Sequence, residues 1–390
     1  MAMDKIPRCN DDAAPMTIPF VDLGAQQRRI RDDLDRRIAR VLDHGGYILG
    51  PEVAELEAAL AARAGCRHAI TLSSGTDALL AVLMARGIGP GDAVFMPAFT
   101  FTATAEVVLQ AGATPVFVDV DGSTFNLDPD CLRAAIAGAR EQGRLRPAAI
   151  IAVDLFGQPA DYRAINAIAA EHGLFVLADA AQSFGAHYEN RAVGTLAPAT
   201  ATSFYPAKPL GCYGDGGAVF TDDDDLAAAC ISIRAHGEGK NRYDIVRLGM
   251  NGRLDTLQAA VLLSKLTIFD DEIQRRRAAA HSYTERLSDV VETPAQLPGS
   301  DTIWAQYTIQ LPHRDAVAAS LRQRGIPTQI YYPLPMHLQP AYAQYGEGNG
   351  SLPVFERLCQ RVLALPMHPY LEEATIETIC DGVRQGLQAV

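Results

Sequence analysis

Ala69-Ile70-Thr71-Leu72-Ser73-Ser74-Gly75-Thr76-Asp77 passes from an apolar run straight into a helix start. The run 69–72 has the unbroken hydrophobicity of a strand covered on both faces. The Ser, Thr and Asp after it are residues that cap helix N-termini. The same succession recurs downstream. Apolar runs at 93–96, 114–120, 148–153 and 174–178 alternate with helix-like segments at 76–86, 104–111 and 162–172, and 217–221 reads as one more strand. Strands without in–out alternation, separated by helices, predict an α/β fold with a large, mostly parallel sheet covered on both faces.

Outward from this core, 26–43 carries apolar residues at helical spacing and stops at His44-Gly45-Gly46. Pro51 opens a second helix over 52–64, which Gly65 ends. The stretch 255–287 reads as one long helix linking two units. Beyond it, an apolar segment over 302–311, a helix over 314–324, a strand near 328–331 and a last helix over 372–387 predict a smaller α+β unit. The expected organisation is a loose leader over 1–18, a large domain over 19–254, and a connecting helix with a smaller C-terminal domain over 255–390. The leader is polar and has no apolar run of a signal peptide.

The whole chain has 390 residues, 48% hydrophobic and 21% charged, which suits a globular protein with a sizeable core. A net charge of −12 argues against a nucleic-acid surface, yet leaves room for a small anionic substrate held by local donors. The seven cysteines are scattered and form no C-x-x-C pair, as in a reducing cytosol. No stretch approaches the ~18 consecutive apolar residues of a membrane span. A cytoplasmic protein without metal, nucleic-acid or membrane partners is expected.

In open α/β sheets ligands bind beyond the carboxyl ends of the strands, so polar residues directly after strands are the candidates. Ser73 to Asp77 offers hydroxyls, backbone N–H groups and a helix N-terminus, which suit a phosphate; an ordinary N-cap looks the same. Asp179 ends the run 174–178 and is followed by Gln182; it suits a positive ring nitrogen, or a simple cap. Thr202-Ser203-Phe204-Tyr205-Pro206-Ala207-Lys208-Pro209-Leu210-Gly211 sets one lysine among aromatic, proline and glycine residues. Constrained apolar surroundings favour the neutral amine, as Schiff-base chemistry requires. A solvated loop lysine is the plain alternative, against which the prolines and the glycines at 211, 214, 216 and 217 argue. The glycines match neither a Walker loop nor G-x-G-x-x-G after a strand, and the chain has no H-E-x-x-H and no G-x-S-x-G. Phosphate cradle, strand-end Asp and isolated Lys, in that order, are the parts of a pyridoxal-phosphate (PLP) site.

Five motifs carry a family resemblance: Tyr47-Ile48-Leu49-Gly50-Pro51-Glu52, Ser74-Gly75-Thr76-Asp77-Ala78-Leu79, Pro97-Ala98-Phe99-Thr100-Phe101, Asp179-Ala180-Ala181-Gln182-Ser183-Phe184-Gly185 and Ser203-Phe204-Tyr205-Pro206-Ala207-Lys208. From Phe20 nearly to the C-terminus the chain resembles the DegT/DnrJ/EryC1/StrS sugar aminotransferases. The resemblance implies PLP fold type I, the aspartate aminotransferase-like architecture. It makes Lys208 the lysine that carries the cofactor, Asp179 the carboxylate at the pyridine nitrogen, Gln182 the neighbour of the ring hydroxyl and Phe101 the ring that stacks on the cofactor. Gly75, Thr76 and Ser203 become phosphate ligands. Asn251 and Arg253 complete the phosphate site of a partner subunit, which implies a homodimer with shared sites.

Within the family, Lys208 points to transaminases rather than to the dehydratases that lack the lysine; a non-catalytic PLP-binding regulator is the other alternative. Lys208 to Gly217 resembles members that aminate a 3-keto sugar. Arg253-Leu254-Asp255-Thr256-Leu257-Gln258-Ala259-Ala260 and Leu365-Pro366-Met367-His368-Pro369-Tyr370-Leu371 are similar to the WbpE/WlbC-like group. That group transfers the amino group of glutamate, leaving 2-oxoglutarate, to UDP-2-acetamido-2-deoxy-3-keto-glucuronate for O-antigen lipopolysaccharide. A dTDP-3-keto-6-deoxyhexose is the alternative substrate. Tyr331, Tyr332 and His337, with Arg253, are the expected sugar contacts.

Overall fold

A computed structural model describes residues 18–241 and 243–389. The expected leader, apart from Ile18, lies outside the described residues. Helix α1 (Leu23–His44) begins where the Asp22 carboxylate accepts from the Ala25 N–H, and ends on Gly45 at φ +66°. Helix α2 (Pro51–Ala64) has its proline where no N–H is needed.

The alternating part follows as β1 (His68–Leu72), α3 (Gly75–Ala85), β2 (Asp92–Pro97), α4 (Thr102–Gln110), β3 (Thr114–Val118), α5 (Pro129–Gln142), β4 (Arg146–Val153), α6 (Tyr162–His172) and β5 (Phe175–Asp179). Two short strands, β6 (His187–Tyr188) and β7 (Arg191–Ala192), precede β8 (Ala199–Ser203), β9 (Gly217–Thr221) and α7 (Asp224–Arg234). Seven strands form one sheet in the order β1-β9-β8-β5-β4-β2-β3. Strand β9 runs against both its neighbours, β1 and β8. The other pairs are parallel. All strands but β9 therefore point their carboxyl ends to the same edge.

Both faces are covered, which is why the strands read as unbroken apolar runs. Every residue of β2 and of β9 is buried. Phe95 and Ile150 face a core shared with Leu56 of α2, Ile136 of α5 and Ile165 of α6. Val94, Ile151 and Leu177 face the opposite core, with Leu79 of α3, Val107 of α4 and Ile233 of α7.

The long helix expected over 255–287 is two helices, α8 (Thr256–Leu266) and α9 (Phe269–Leu287). The Thr267 hydroxyl donates to the Ser264 carbonyl at 2.7 Å where α8 stops. Asp270, Asp271 and Glu272 fill the first turn of α9, where carboxylates are favoured. Helix α8 packs on α1 and α2, whereas α9 packs on the last helix of the chain. The remainder comprises β10 (Ser300–Asp301), β11 (Tyr307–Gln310), α10 (Arg314–Gln323), α11 (Pro353–Arg361), β12 (Val362–Leu365) and α12 (Glu373–Gln388). Strands β11 and β12 pair antiparallel. The strand expected near 328–331 is reduced to one bridge, Gln329 to Ala364, after which the chain turns toward the main sheet's edge. No helix among the described residues is long and apolar enough to cross a membrane.

Phe99, just past β2, packs the end of the main sheet against α11 beside that edge. It is fully buried. Its ring stacks on Phe355 of α11 at 4.5 Å and meets Phe125, Phe156 and Tyr332 edge-on at 5.8–6.3 Å. Phe99→Ala empties this junction and is expected to cost about 3–5 kcal/mol of stability, read from the shift in a denaturant midpoint.

Candidate active site

A cavity of about 550 Å³ lies along the aligned carboxyl ends of the strands. At the end of β1, the Ser74 hydroxyl accepts from the Asp77 N–H at 3.0 Å, and Gly75 and Thr76 form the first turn of α3. The N–H groups of a first turn have no partner within the helix and present positive potential. A Cβ on Gly75 would lie 2.6 Å from the Ser203 Cβ. A Cβ on Gly217 would collide with the Ser74 carbonyl. Two glycines thus let the β1–α3 junction press against the ends of β8 and β9. The result is a lip of N–H groups and hydroxyls from Ser74, Gly75, Thr76 and Ser203 on the cavity.

Across the cavity, Asp179 closes β5 and is buried. Its Oδ2 accepts from the Thr104 hydroxyl at 2.9 Å and its Oδ1 from the Ala181 N–H at 3.2 Å. The Thr104 hydroxyl is in turn 2.8 Å from that of Thr100. Burial raises the Asp179 pKa, against the lowering pull of Thr104, the Ala181 N–H and Lys208. Lys208 stands after β8 in a turn closed by its own N–H donating to the Tyr205 carbonyl at 2.8 Å. Burial lowers the Lys208 pKa, and the Asp179 charge opposes this. An amine inclined to be neutral therefore shares a cavity with a carboxylate that lacks a full counter-charge.

Phe101 precedes α4 and leaves 56% of its surface exposed, with its ring on the cavity. Gln182 is buried, and its Oε1 accepts from the Phe156 N–H at 2.6 Å. Tyr331 and Tyr332 enter from the chain beyond β11, and burial pushes both phenol pKa values up, so both remain hydroxyl donors.

Three expected site residues lie elsewhere in the chain. His337 is buried against Glu356, Nε2 to Oε1 3.1 Å, and lines a separate cavity beside β3. The 3-10 turn that carries it packs inward, so it is not a wall of the strand-end cavity. Arg253 donates to the Asn251 side chain at 2.6 Å, and neither residue lines the cavity of its own chain. Conversely, Thr104, Asp154, Asp215 and Gln306 line it and were not singled out from sequence. Asp154 follows the run 148–153 just as Asp179 follows 174–178, so the strand-end rule could have found it. Nothing in the sequence pairs Thr104 with Asp179.

The model of the DegT/DnrJ/EryC1/StrS aminotransferase family matches residues 28–384. The chain belongs to this family. It is 50% identical over 364 residues to the UDP-2-acetamido-2-deoxy-3-oxo-D-glucuronate aminotransferase of Pseudomonas aeruginosa, covering 93% of this chain and 98% of that one. A DegT/DnrJ/EryC1/StrS aminotransferase of known structure from Brucella abortus superposes with a TM-score of 0.92 at 53% identity, covering 94% and 98% of the two chains. The Bacillus subtilis protein NtdA, solved with bound cofactor PMP, superposes with a TM-score of 0.88 at 29% identity, covering 97% and 87% of the two chains.

This protein is accordingly an aminotransferase of PLP fold type I, and its cofactor is pyridoxal phosphate. The side chains present fit that group. The glycine-backed lip suits a phosphate, the buried Asp179 carboxylate suits a protonated ring nitrogen, and burial lowers the Lys208 pKa, which favours the amine form that a Schiff base needs.

Thr104→Val keeps the shape of α4 but removes the donor to Asp179 Oδ2. Hydrogen bonds to charged groups contribute about 1.5–3 kcal/mol. We expect PLP affinity to fall by roughly tenfold or more in a cofactor titration, with circular dichroism unchanged.

Proposed function

We propose that this enzyme transfers the amino group of L-glutamate to the 3-keto position of UDP-2-acetamido-2-deoxy-3-keto-glucuronate, in the making of O-antigen lipopolysaccharide sugars. The observation that carries the substrate is the end-to-end likeness to the Pseudomonas enzyme of that specificity. The observation that supports the chemistry is a buried lysine and a buried carboxylate on the wall of one cavity, with burial lowering the lysine pKa.

Bound PLP supplies an electron sink for the carbon that loses its proton. Lys208 holds the cofactor, and once displaced its Nζ is the general base that takes the proton from Cα of glutamate. In the second half the same nitrogen delivers a proton to C3 of the sugar. Asp179 holds the proton on the ring nitrogen. Gln182 and Phe101, both on the cavity wall, would hold the ring, Gln182 as a partner of its hydroxyl and Phe101 as its apolar cover. Gly75, Thr76 and Ser203 bind the phosphate from one chain, and the partner subunit's Asn251 and Arg253 complete it in a homodimer. Within one chain Arg253 is spent on Asn251 and not on the cavity, in keeping with a role across the interface.

A uronate carries a carboxylate of its own. Among the described residues, Lys208 is the one basic side chain on the cavity wall, and Asp215 adds negative charge. The sugar carboxylate then depends on neutral donors, the hydroxyls of Tyr331 and Tyr332 and the Gln306 amide, together with the partner subunit's Arg253.

Two outcomes are expected. Lys208→Ala loses turnover by several orders of magnitude, and glutamate no longer bleaches the visible absorbance that it bleaches in the wild-type enzyme; normal turnover would remove Lys208 from the mechanism. In a coupled assay that generates the unstable keto-sugar in place, the UDP-linked uronate is aminated in preference to dTDP-linked 3-keto-6-deoxyhexoses. A preference for the dTDP sugar overturns the uronate and leaves amino transfer standing.

A further inference from the structure

Asp154 is the one carboxyl of the cavity wall to which the mechanism above gives no work although no part of it reaches solvent. It stands one residue past β4, next to β5, and its N–H donates to the Asp179 carbonyl at 3.0 Å. Three donors from three different places fix its carboxyl. Oδ1 accepts from the Ala160 N–H at 2.9 Å and from the Tyr162 hydroxyl at 2.8 Å. Oδ2 accepts from the Ser183 hydroxyl at 2.6 Å. None of these donors is charged. Ser183 directly follows Gln182, in the same turn that begins at Asp179.

We propose that Asp154 is a positioning residue for amino transfer, which acts through Asp179 by setting a second, protonatable carboxyl behind the one that faces the ring nitrogen. The proposal rests on Asp179 being that nitrogen's partner. When Asp154 is ionised, its field adds to that of Asp179 and strengthens the hold on the ring proton. When Asp154 is protonated, Asp179 acts alone.

The surroundings make this carboxyl able to switch. The titratable groups that face it are Asp179 from β5 and the Tyr162 phenol from α6. Burial pushes the phenol well above its ordinary value, so it stays a donor throughout. Asp179 itself faces Lys208 and the Tyr332 phenol. For Asp154, burial first and the nearby Asp179 charge as well raise the pKa to about 7, against the pull of Ser183, Ala160 and Tyr162. Among the described residues no cation pairs with Asp154 to hold it ionised, and its three hydrogen-bond donors are all neutral.

Asp154→Asn tests this with little disturbance. Its Oδ1 can keep the bonds from Ala160 and Tyr162, and its amide can donate to the Ser183 oxygen. On the PLP-loaded protein, carbon-13 spectra of the aspartate carboxyls should show one group titrating well above the ordinary aspartate range. That signal should vanish in Asp154→Asn. In Ser183→Ala, which removes one bond to the charged form, its midpoint should rise by roughly one pH unit.

The bound cofactor's visible absorbance, without substrate, should change with the same midpoint in wild type, follow the shift in Ser183→Ala and lose the step in Asp154→Asn. The rate of the glutamate half-reaction should rise by several-fold through that midpoint in wild type and be flat there in Asp154→Asn. Superimposable absorbance and rate profiles in all three proteins overturn the proposal. So does an equal loss at every pH with the step retained, which marks a purely structural carboxyl. If Asp154→Asn does not fold, the predicted shift in Ser183→Ala decides alone. Asp179→Asn separates the two readings: if it retains normal turnover, the assignment of Asp179 fails, while the Asp154 signal in the carbon-13 spectrum persists with its midpoint lowered by the loss of the Asp179 charge.

Discussion

A carboxylate and an amine share a rim from which bulk water is largely withdrawn, and each is uneasy there alone. Burial raises the pKa of Asp179 and lowers that of Lys208, and the charge of each opposes the shift of the other. Charge on either becomes favourable when a complementary group enters between them, and a protonated, phosphorylated pyridine ring is such a group. The rest of the architecture answers to this requirement. Parallel strands bring their carboxyl ends to one edge, so that residues far apart in sequence, at 74–76, 101, 179 and 203–208, meet on one wall. The single reversed strand, β9, sits between β1 and β8, and its first glycine, Gly217, lets the β1–α3 junction close against it, as Gly75 lets that junction close against Ser203.

The alternating core and the strand-end chemistry were legible because both follow local rules. A strand buried on two faces has to be apolar throughout, and a polar residue directly after it has one place to go. Asp179 and Gly75 were readable on that basis, whereas Ser203, Gln182 and Phe101 came with the family motifs, and β8, which carries Ser203, was not read as a strand. What was hidden depends on tertiary contacts. The break at Thr267 and Ile268 interrupts a segment whose composition is helical throughout, because α8 packs on α1 and α2 while α9 leaves for another neighbour. The run near 328–331 has a strand's composition but gains only one bridge, since beyond Gln329 the two tyrosines turn to the cavity. His337 looked like a ligand because a histidine near a tyrosine pair has the right chemistry; its partner Glu356 lies nineteen positions on, in a helix that the sequence reading did not single out.

The hydrogen bonds around the rim are ordered in depth. Thr100 supports Thr104, Thr104 supports Asp179, and Phe156 anchors Gln182 through its backbone. Such chains hold polar groups at fixed angles without mobile solvent, and they also propagate a single loss to the next member. The aromatic junction around Phe99 lies on the other side of the same wall, so the packing that seats α11 against the main sheet and the bonds that aim the polar groups share residues, Phe156 and Tyr332 among them.

The two tyrosines of the cavity arrive on a different stretch of chain from everything that would seat the cofactor. Lys208, Asp179, Gln182 and the phosphate lip all belong to the seven-stranded layer, whereas Tyr331 and Tyr332 follow β11 and α10. That separation has an evolutionary corollary. Substitutions at Tyr331 alter one wall of the cavity from outside the layer that carries Lys208, Asp179 and Gln182, whereas Tyr332 is tied to that layer, its ring 6.4 Å from that of Phe101. A lineage built on this plan can therefore diversify its glycan chemistry by redecorating one wall, keeping its reaction while changing its clientele.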